Sequence, residues 1–215
     1  MNARDFDITN HSGILIKRPE LARLSAVLQE WINLTQRYLM HFDHRFGSYY
    51  YNERASVGVL AAAAWKAGPQ WVALEEFVTD KNNGSEGNYR GRCDLFIGDD
   101  RDFSVAIEAK QHWPQLAAQD NSVAALQASL NEASGDAREL AETEALYRLG
   151  ACFAAPSFAT EVDEANERRL AQWLEEIRAL EDVHALAWHF PSSARHLQGT
   201  DERYYPGTAL LLRLC

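Results

Sequence analysis

Apolar and polar positions alternate with period two in two segments, Gly91-Arg92-Cys93-Asp94-Leu95-Phe96-Ile97 and Val105-Ala106-Ile107-Glu108-Ala109-Lys110-Gln111. Such alternation is the signature of half-buried strands. Gly98-Asp99-Asp100 is a turn signal, and the second strand is expected from about Phe103, so the two form an antiparallel hairpin. On the second strand Glu108 and Lys110 are two apart and leave one face, while Val105, Ile107 and Ala109 take the other. On the first strand Asp94 is expected opposite to Cys93, Leu95 and Ile97. The hairpin then sets Asp94, Glu108 and Lys110 side by side. Two carboxylates and an ammonium on an otherwise apolar sheet are costly to bury unpaired. A divalent cation would satisfy the carboxylates; a purely structural ion-pair cluster would use the same residues.

Elsewhere the period is helical. Pro19 to about His41 carries an apolar face of Leu21, Leu24, Leu28, Trp31, Ile32 and Leu39. After Tyr49-Tyr50-Tyr51-Asn52-Glu53-Arg54 an Ala-rich helix runs to Lys66 and is closed by Gly68-Pro69. Glu53 shares a face of that helix with Val57, Leu60, Ala61 and Ala64, an unusual place for a carboxylate. Residues 71–78 read as a strand bearing Glu76, and residues 81–89, rich in Asn and Gly, as a loop. Residues 122–147 read as a helix interrupted at Ser134-Gly135, residues 149–155 as a short apolar strand and residues 162–180 as a helix. Residues 183–190 and 208–214 are strands that extend the sheet. No repeat or low-complexity linker divides the 215 residues, so residues 1–215 are expected to form one α/β domain with additions at both ends.

Asp94, a hairpin, then Glu108-Ala109-Lys110 resembles the PD-(D/E)xK motif of the restriction-endonuclease-like nuclease superfamily. Gly91-Arg92-Cys93-Asp94-Leu95 and Ile107-Glu108-Ala109-Lys110-Gln111 are similar to that family's local wording, although Cys93 stands where the motif's proline would be. The flanking order of helix, three strands, helix and strand over residues 49–156 also resembles the superfamily's core. The resemblance implies an α/β fold with a restriction-endonuclease-like core (αβββαβ). Its mixed central sheet would be flanked by helices, with an N-terminal helix and a C-terminal helix and strands added. It implies a metal-dependent nuclease hydrolysing phosphodiester bonds of nucleic acid, DNA ahead of RNA. Mg²⁺ or Mn²⁺ would be held by Asp94, Glu108 and the matching helix acid Glu53, with the Ala109 carbonyl. Lys110 would orient the attacking water or stabilise charge on the phosphoryl group. Arg54, Lys81, Arg90, Arg92 and Gln111 are the expected substrate contacts. The alternative is a member of the same fold that binds nucleic acid or protein without cutting.

The charge balance bears on this expectation. Lys and Arg total 21 against 31 Asp and Glu, a net charge of −10, whereas phosphate binding rests on basic patches. Much of the acid falls in residues 132–144 and 161–181, predicted solvated helix faces. Arg45 and Arg54 near Glu53, with Lys81, Arg90 and Arg92, leave a local positive rim. Three dispersed cysteines without a CxxC, and no apolar leader at the N-terminus, suit a reduced cytoplasm. The longest apolar run is too short to span a bilayer. No GxSxG, Walker A, GxGxxG or zinc framework is present, and nothing indicates a homo-oligomer. His41 and His44 have metal-ligand spacing but no third partner, and the Tyr49-Tyr50-Tyr51 rings serve packing or base stacking.

Overall fold

A computed structural model describes residues 10–82, 87–117 and 122–215. Strand β1 (Asn10–Ile16) is followed by a 3-10 turn and by helices α1 (Ser25–His41) and α2 (Glu53–Lys66). Strands β2 (Trp71–Asn82), β3 (Asn88–Asp99) and β4 (Ser104–His112) come next. Helix α3 (Ser122–Glu139), strand β5 (Tyr147–Ala154) and helix α4 (Glu164–Ala179) lead to the final strands β6 (Ala185–Pro191) and β7 (Thr208–Leu214). All the strands join one seven-stranded sheet, in the order β1-β6-β7-β5-β4-β3-β2. The sheet is mixed: β4 and β5 run parallel across the α3 crossover, and the other neighbours are antiparallel. Among the described residues no helix is long and apolar enough to cross a membrane.

Helices cover both faces, which is what a parallel pair needs in order to be buried. Against α1 and α2 lie Leu95, Ile97, Val105, Ile107, Ala109, Leu149 and Leu210. Against α3 and α4 lie Cys152, Ala154, Leu186 and Leu211. The period-two pattern of β4 thus works as expected, with odd-numbered residues toward α1 and α2 and even-numbered residues toward α3. Helix α2 is started by Asn52, whose side-chain oxygen accepts the Ala55 N–H at 2.9 Å, an N-cap that fixes where Glu53 sits. The β3–β4 turn is held by Asp99, whose Oδ1 accepts the N–H groups of Arg101 and Phe103 at 2.9 and 3.2 Å.

Several local expectations are corrected. The segment read as a loop over residues 81–89 is largely hairpin: β2 reaches Asn82, β3 starts at Asn88, and these two residues are register partners; residues 83–86 lie outside the described residues. Helix α3 runs unbroken through Ser134-Gly135 and ends at Glu139. Ser134 is fully buried there, because Gly150 of β5 has no Cβ to hold the helix away; a Cβ would lie 2.4 Å from Ser134 Oγ. Strand β1, which the sequence did not suggest, pairs antiparallel with β6.

Candidate active site

Strands β3 and β4 pair from Gly98↔Ser104 to Leu95↔Ile107 and no further, so Asp94 stands in the fork where they part. Its Oδ2 accepts the Ala109 N–H at 2.8 Å, replacing the missing ladder bond with a side-chain one. On the other side of β3 the ladder to β2 runs Glu75↔Leu95, Phe77↔Cys93, and skips the Glu76–Asp94 position. Glu76 has φ +47, a left-handed conformation that a non-glycine residue holds only at some cost. At this position the faces of the strand exchange. Leu95 packs with the α2-side core, whereas Cys93 packs with Ala106 and Leu140 on the α3 side. Cys93 therefore does not share a face with Leu95 and Ile97, as plain alternation predicted.

The Asp94 charge acts on two further acids from two other elements, Glu53 and Glu108. Glu53, half-buried at the start of α2, has its pKa raised by burial first and by the Asp94 charge second. Lys110 and the backbone N–H of Gln111, which donates to the Glu53 carboxylate, pull the other way. Glu108, on β4, is pushed up to about 7, again by burial first and with Asp94 adding to it. Its closest cation is Lys81, whose Nζ lies 2.7 Å from Oε1. The contact is one of charge, since Oε1 has no aligned hydrogen-bond donor. Both side chains are largely buried, at 11% and 7% exposed. Lys81 is thus a partner of Glu108 inside the fold and not part of an exposed rim, a correction to the substrate-contact expectation.

Lys110 shares the α3-facing side of β4 with Glu108, as the spacing predicted. Its Nζ is 2.8 Å from Asp136 Oδ2 and 3.2 Å from Glu132 Oε1, both on α3. Burial works against the Lys110 charge, but these two carboxylates outweigh it and raise the pKa. Gln111 points to the opposite face, with Oε1 accepting from Ser56 Oγ at 2.7 Å and Nε2 donating to Tyr49 O at 3.0 Å. It pins the α2 start to the end of β4; its side chain is committed to the fold and not presented to a substrate. Arg54 and Arg92 are exposed and both meet Glu76, at 2.5 and 3.4 Å, beside a cleft of about 180 Å³ that Glu53 and Asp94 also line. Arg90 is exposed on β3. From the sequence alone Glu76 reads as a second acidic ligand or, more simply, as a solvated edge position. Its positive φ, which organises the cleft, leaves no trace in a single sequence.

Among the described residues no three His, Cys, Asp or Glu side chains are disposed to hold one metal ion. The chemistry of the residues nevertheless suits a hard divalent cation. The donors are carboxylate oxygens, two of the three have raised affinity for protons, and Glu108 Oε1 is a buried acceptor without a directed donor. Lys81 now supplies the positive charge that such an ion would bring. Comparison with known proteins finds no matching family model, no matching curated protein and no matching solved structure.

Proposed function

We propose that the chain is a metal-dependent nuclease of the PD-(D/E)xK type, with a restriction-endonuclease-like core over residues 49–156. The observation that carries this reading is the fork at Asp94. A hairpin parts at the aspartate, and the Glu and Lys of the ExK segment leave the adjoining strand together. A half-buried helix acid, Glu53, feels the charge of that same aspartate. Held by Asp94, Glu108 and Glu53, Mg²⁺ or Mn²⁺ would supply charge neutralisation and an acidified water. The chain's own groups do the rest. Lys110, kept protonated by Asp136 and Glu132, is a fixed positive charge for the phosphoryl group. Gln111 holds Glu53 through its backbone N–H and the α2 start through its side chain. Exposed Arg54, Arg90 and Arg92 are the phosphate contacts, and DNA stands ahead of RNA as substrate.

One observation favours the second reading, a non-cutting member of the same fold. Glu108 is neutralised by Lys81, and Lys110 by Glu132 and Asp136, so the ionic groups are satisfied from within the chain. The two readings separate on incubation of pure protein with plasmid, linear duplex, single-stranded DNA and RNA in Mg²⁺ or Mn²⁺. The nuclease cuts at least one of these, and Lys110→Ala abolishes the cutting while folding is kept. Wild type that cuts nothing, or Lys110→Ala that cuts equally well, leaves the non-cutting reading.

A further inference from the structure

Besides the carboxylate cleft the surface holds a second concavity, of about 360 Å³, within the size range of small-ligand sites. Its wall is aromatic. Tyr50 stacks on Tyr51 with ring centroids 4.5 Å apart and on Tyr205 at 5.5 Å. Trp113 closes it, its Nε1 donating to Tyr50 O at 3.2 Å. Tyr49, fully inside, does the packing, while Tyr51 and Trp113 keep 47% and 39% of their surface exposed. The exposed parts of these two rings offer stacking area within the concavity.

The rim is polar and held in place. Arg203 Nε donates to Ser157 Oγ at 2.8 Å, and Tyr205 donates its hydroxyl proton to Asp201 Oδ2 at 2.7 Å. Gln115 adds an amide that can donate and accept. The position matters as much as the lining. Tyr51 lies two residues before Glu53, and Trp113 three residues after Lys110. The Gln111–Tyr49 hydrogen bond ties those two segments together.

We infer that this concavity takes one unstacked nucleobase of a single-stranded nucleic acid. The base lies on Tyr51 and Trp113, its edge faces Gln115 and Arg203, and its backbone runs to the Glu53–Asp94 cleft. The phosphate half of the inference rests on the nuclease reading; the base half does not. Every base has a π-face, so stacking serves any sequence. A base inside a duplex is stacked and paired and cannot enter without being extruded. A chain of net charge −10 draws little affinity from phosphates, so the bases must supply it.

The experiment is fluorescence anisotropy in EDTA, where no cutting occurs, with labelled strands of roughly ten nucleotides. The probes are oligothymidylate, oligouridylate, an abasic strand of the same length and charge, and a duplex. Wild type binds the tighter of the two base-bearing strands at least about tenfold better than the abasic strand, and better than the duplex. The ratio of thymidylate to uridylate binding separates DNA from RNA as the source of the base. Tyr51→Ala and Trp113→Ala each remove most of that margin, with circular dichroism showing that each variant is folded at the assay temperature. Equal binding of the abasic and base-bearing strands by wild type overturns the inference, and this arm needs no variant to fold. Base-dependent binding without cutting in Mg²⁺ keeps the pocket and removes the nuclease reading; cutting without base dependence does the reverse.

Discussion

The Lys81 side chain passes across strand β3 at Gly91 to set its ammonium 2.7 Å from Glu108 Oε1 on strand β4. A Cβ on Gly91 would lie 2.7 Å from Lys81 Cδ, so any larger residue there would make the lysine side chain shift from this path. The buried acid that the nuclease reading gives to a metal therefore has a cation of its own, delivered from the sheet's edge strand over its neighbour.

Lys81→Ala leaves Glu108 buried beside Asp94 without its counter-charge. The expected loss is about 2–3 kcal/mol of unfolding free energy at pH 8. The sign with pH follows from the raised value of about 7 for Glu108. A carboxylate that binds protons more tightly folded than unfolded penalises the folded state as pH rises, so the loss shrinks toward pH 5. Urea unfolding at the two pH values measures this, and adding Glu108→Gln to Lys81→Ala recovers most of the loss. Millimolar Mg²⁺ raises the melting temperature of Lys81→Ala more than that of wild type if the nuclease reading holds. No difference between the two proteins would favour the structural ion-pair reading.

Gly150→Ala tests how α3 is held on the sheet. The new Cβ would sit 2.4 Å from Ser134 Oγ and 2.6 and 2.7 Å from its backbone N and Cα, and backbone does not yield as a flexible side chain does. Helix α3 must lift, at an expected cost of about 1–3 kcal/mol. Glu132 and Asp136, which flank Ser134 on the same helix, move with it away from Lys110. Denaturant unfolding reads the first effect. The second appears as a fall in the Lys110 amine pKa, followed by NMR.

What could be read from the sequence was local. The face of β4, the hairpin turn and the Glu53 position on α2 follow from spacing within a few residues, and each stands in the structure. Strand β1 escaped because Asn-His-Ser-Gly-Ile-Leu-Ile lacks alternation and is made a strand by β6, far away in sequence. The Asn-rich end of β2 escaped because composition signals turns even where a ladder continues to the hairpin tip. The partners of the site's cations escaped for a third reason. Lys81 and Glu108 are joined by register across three strands, and Lys110 and Asp136 by a helix packing on a glycine. Neither relationship has a short-range pattern. The same applies to the exchange of faces at Asp94, which depends on the left-handed Glu76 of another strand.

His189 gives a pH dependence independent of the site. It is 4% exposed on β6, with Nδ1 2.6 Å from Ser12 Oγ and Nε2 2.9 Å from Gln36 Oε1. Burial pushes its pKa down from 6.5 to about 4. The unfolded chain thus binds a proton that the folded one refuses over that interval. Stability is complete above pH 6.5 and is lost progressively as pH falls toward 4, by about 2–3 kcal/mol from this group. His189→Gln should flatten the slope of unfolding free energy between these pH values. An unchanged slope would mean that the ring is charged in the folded state.

Asp94→Asn is the change that best divides function from structure. Asparagine keeps an oxygen for the Ala109 N–H, so the fork should still close. It removes the charge that helps to raise both Glu53 and Glu108. Less repulsion on Glu53 and Glu108 means that stability at pH 8 holds or rises, by about 0.5–1 kcal/mol. If the acids are there to hold a metal, the same change destroys Mg²⁺ and Mn²⁺ binding by titration calorimetry and all cutting of nucleic acid. Stability and activity then move in opposite directions, as expected of charges assembled against the preference of the fold. In a structural ion cluster Asp94 is an asset, and its neutralisation costs stability without touching any metal response. Unfolding and calorimetry on the one variant therefore return opposite results for the two readings, and a destabilised Asp94→Asn whose heat of mixing with Mn²⁺ matches wild type would end the metal-site proposal.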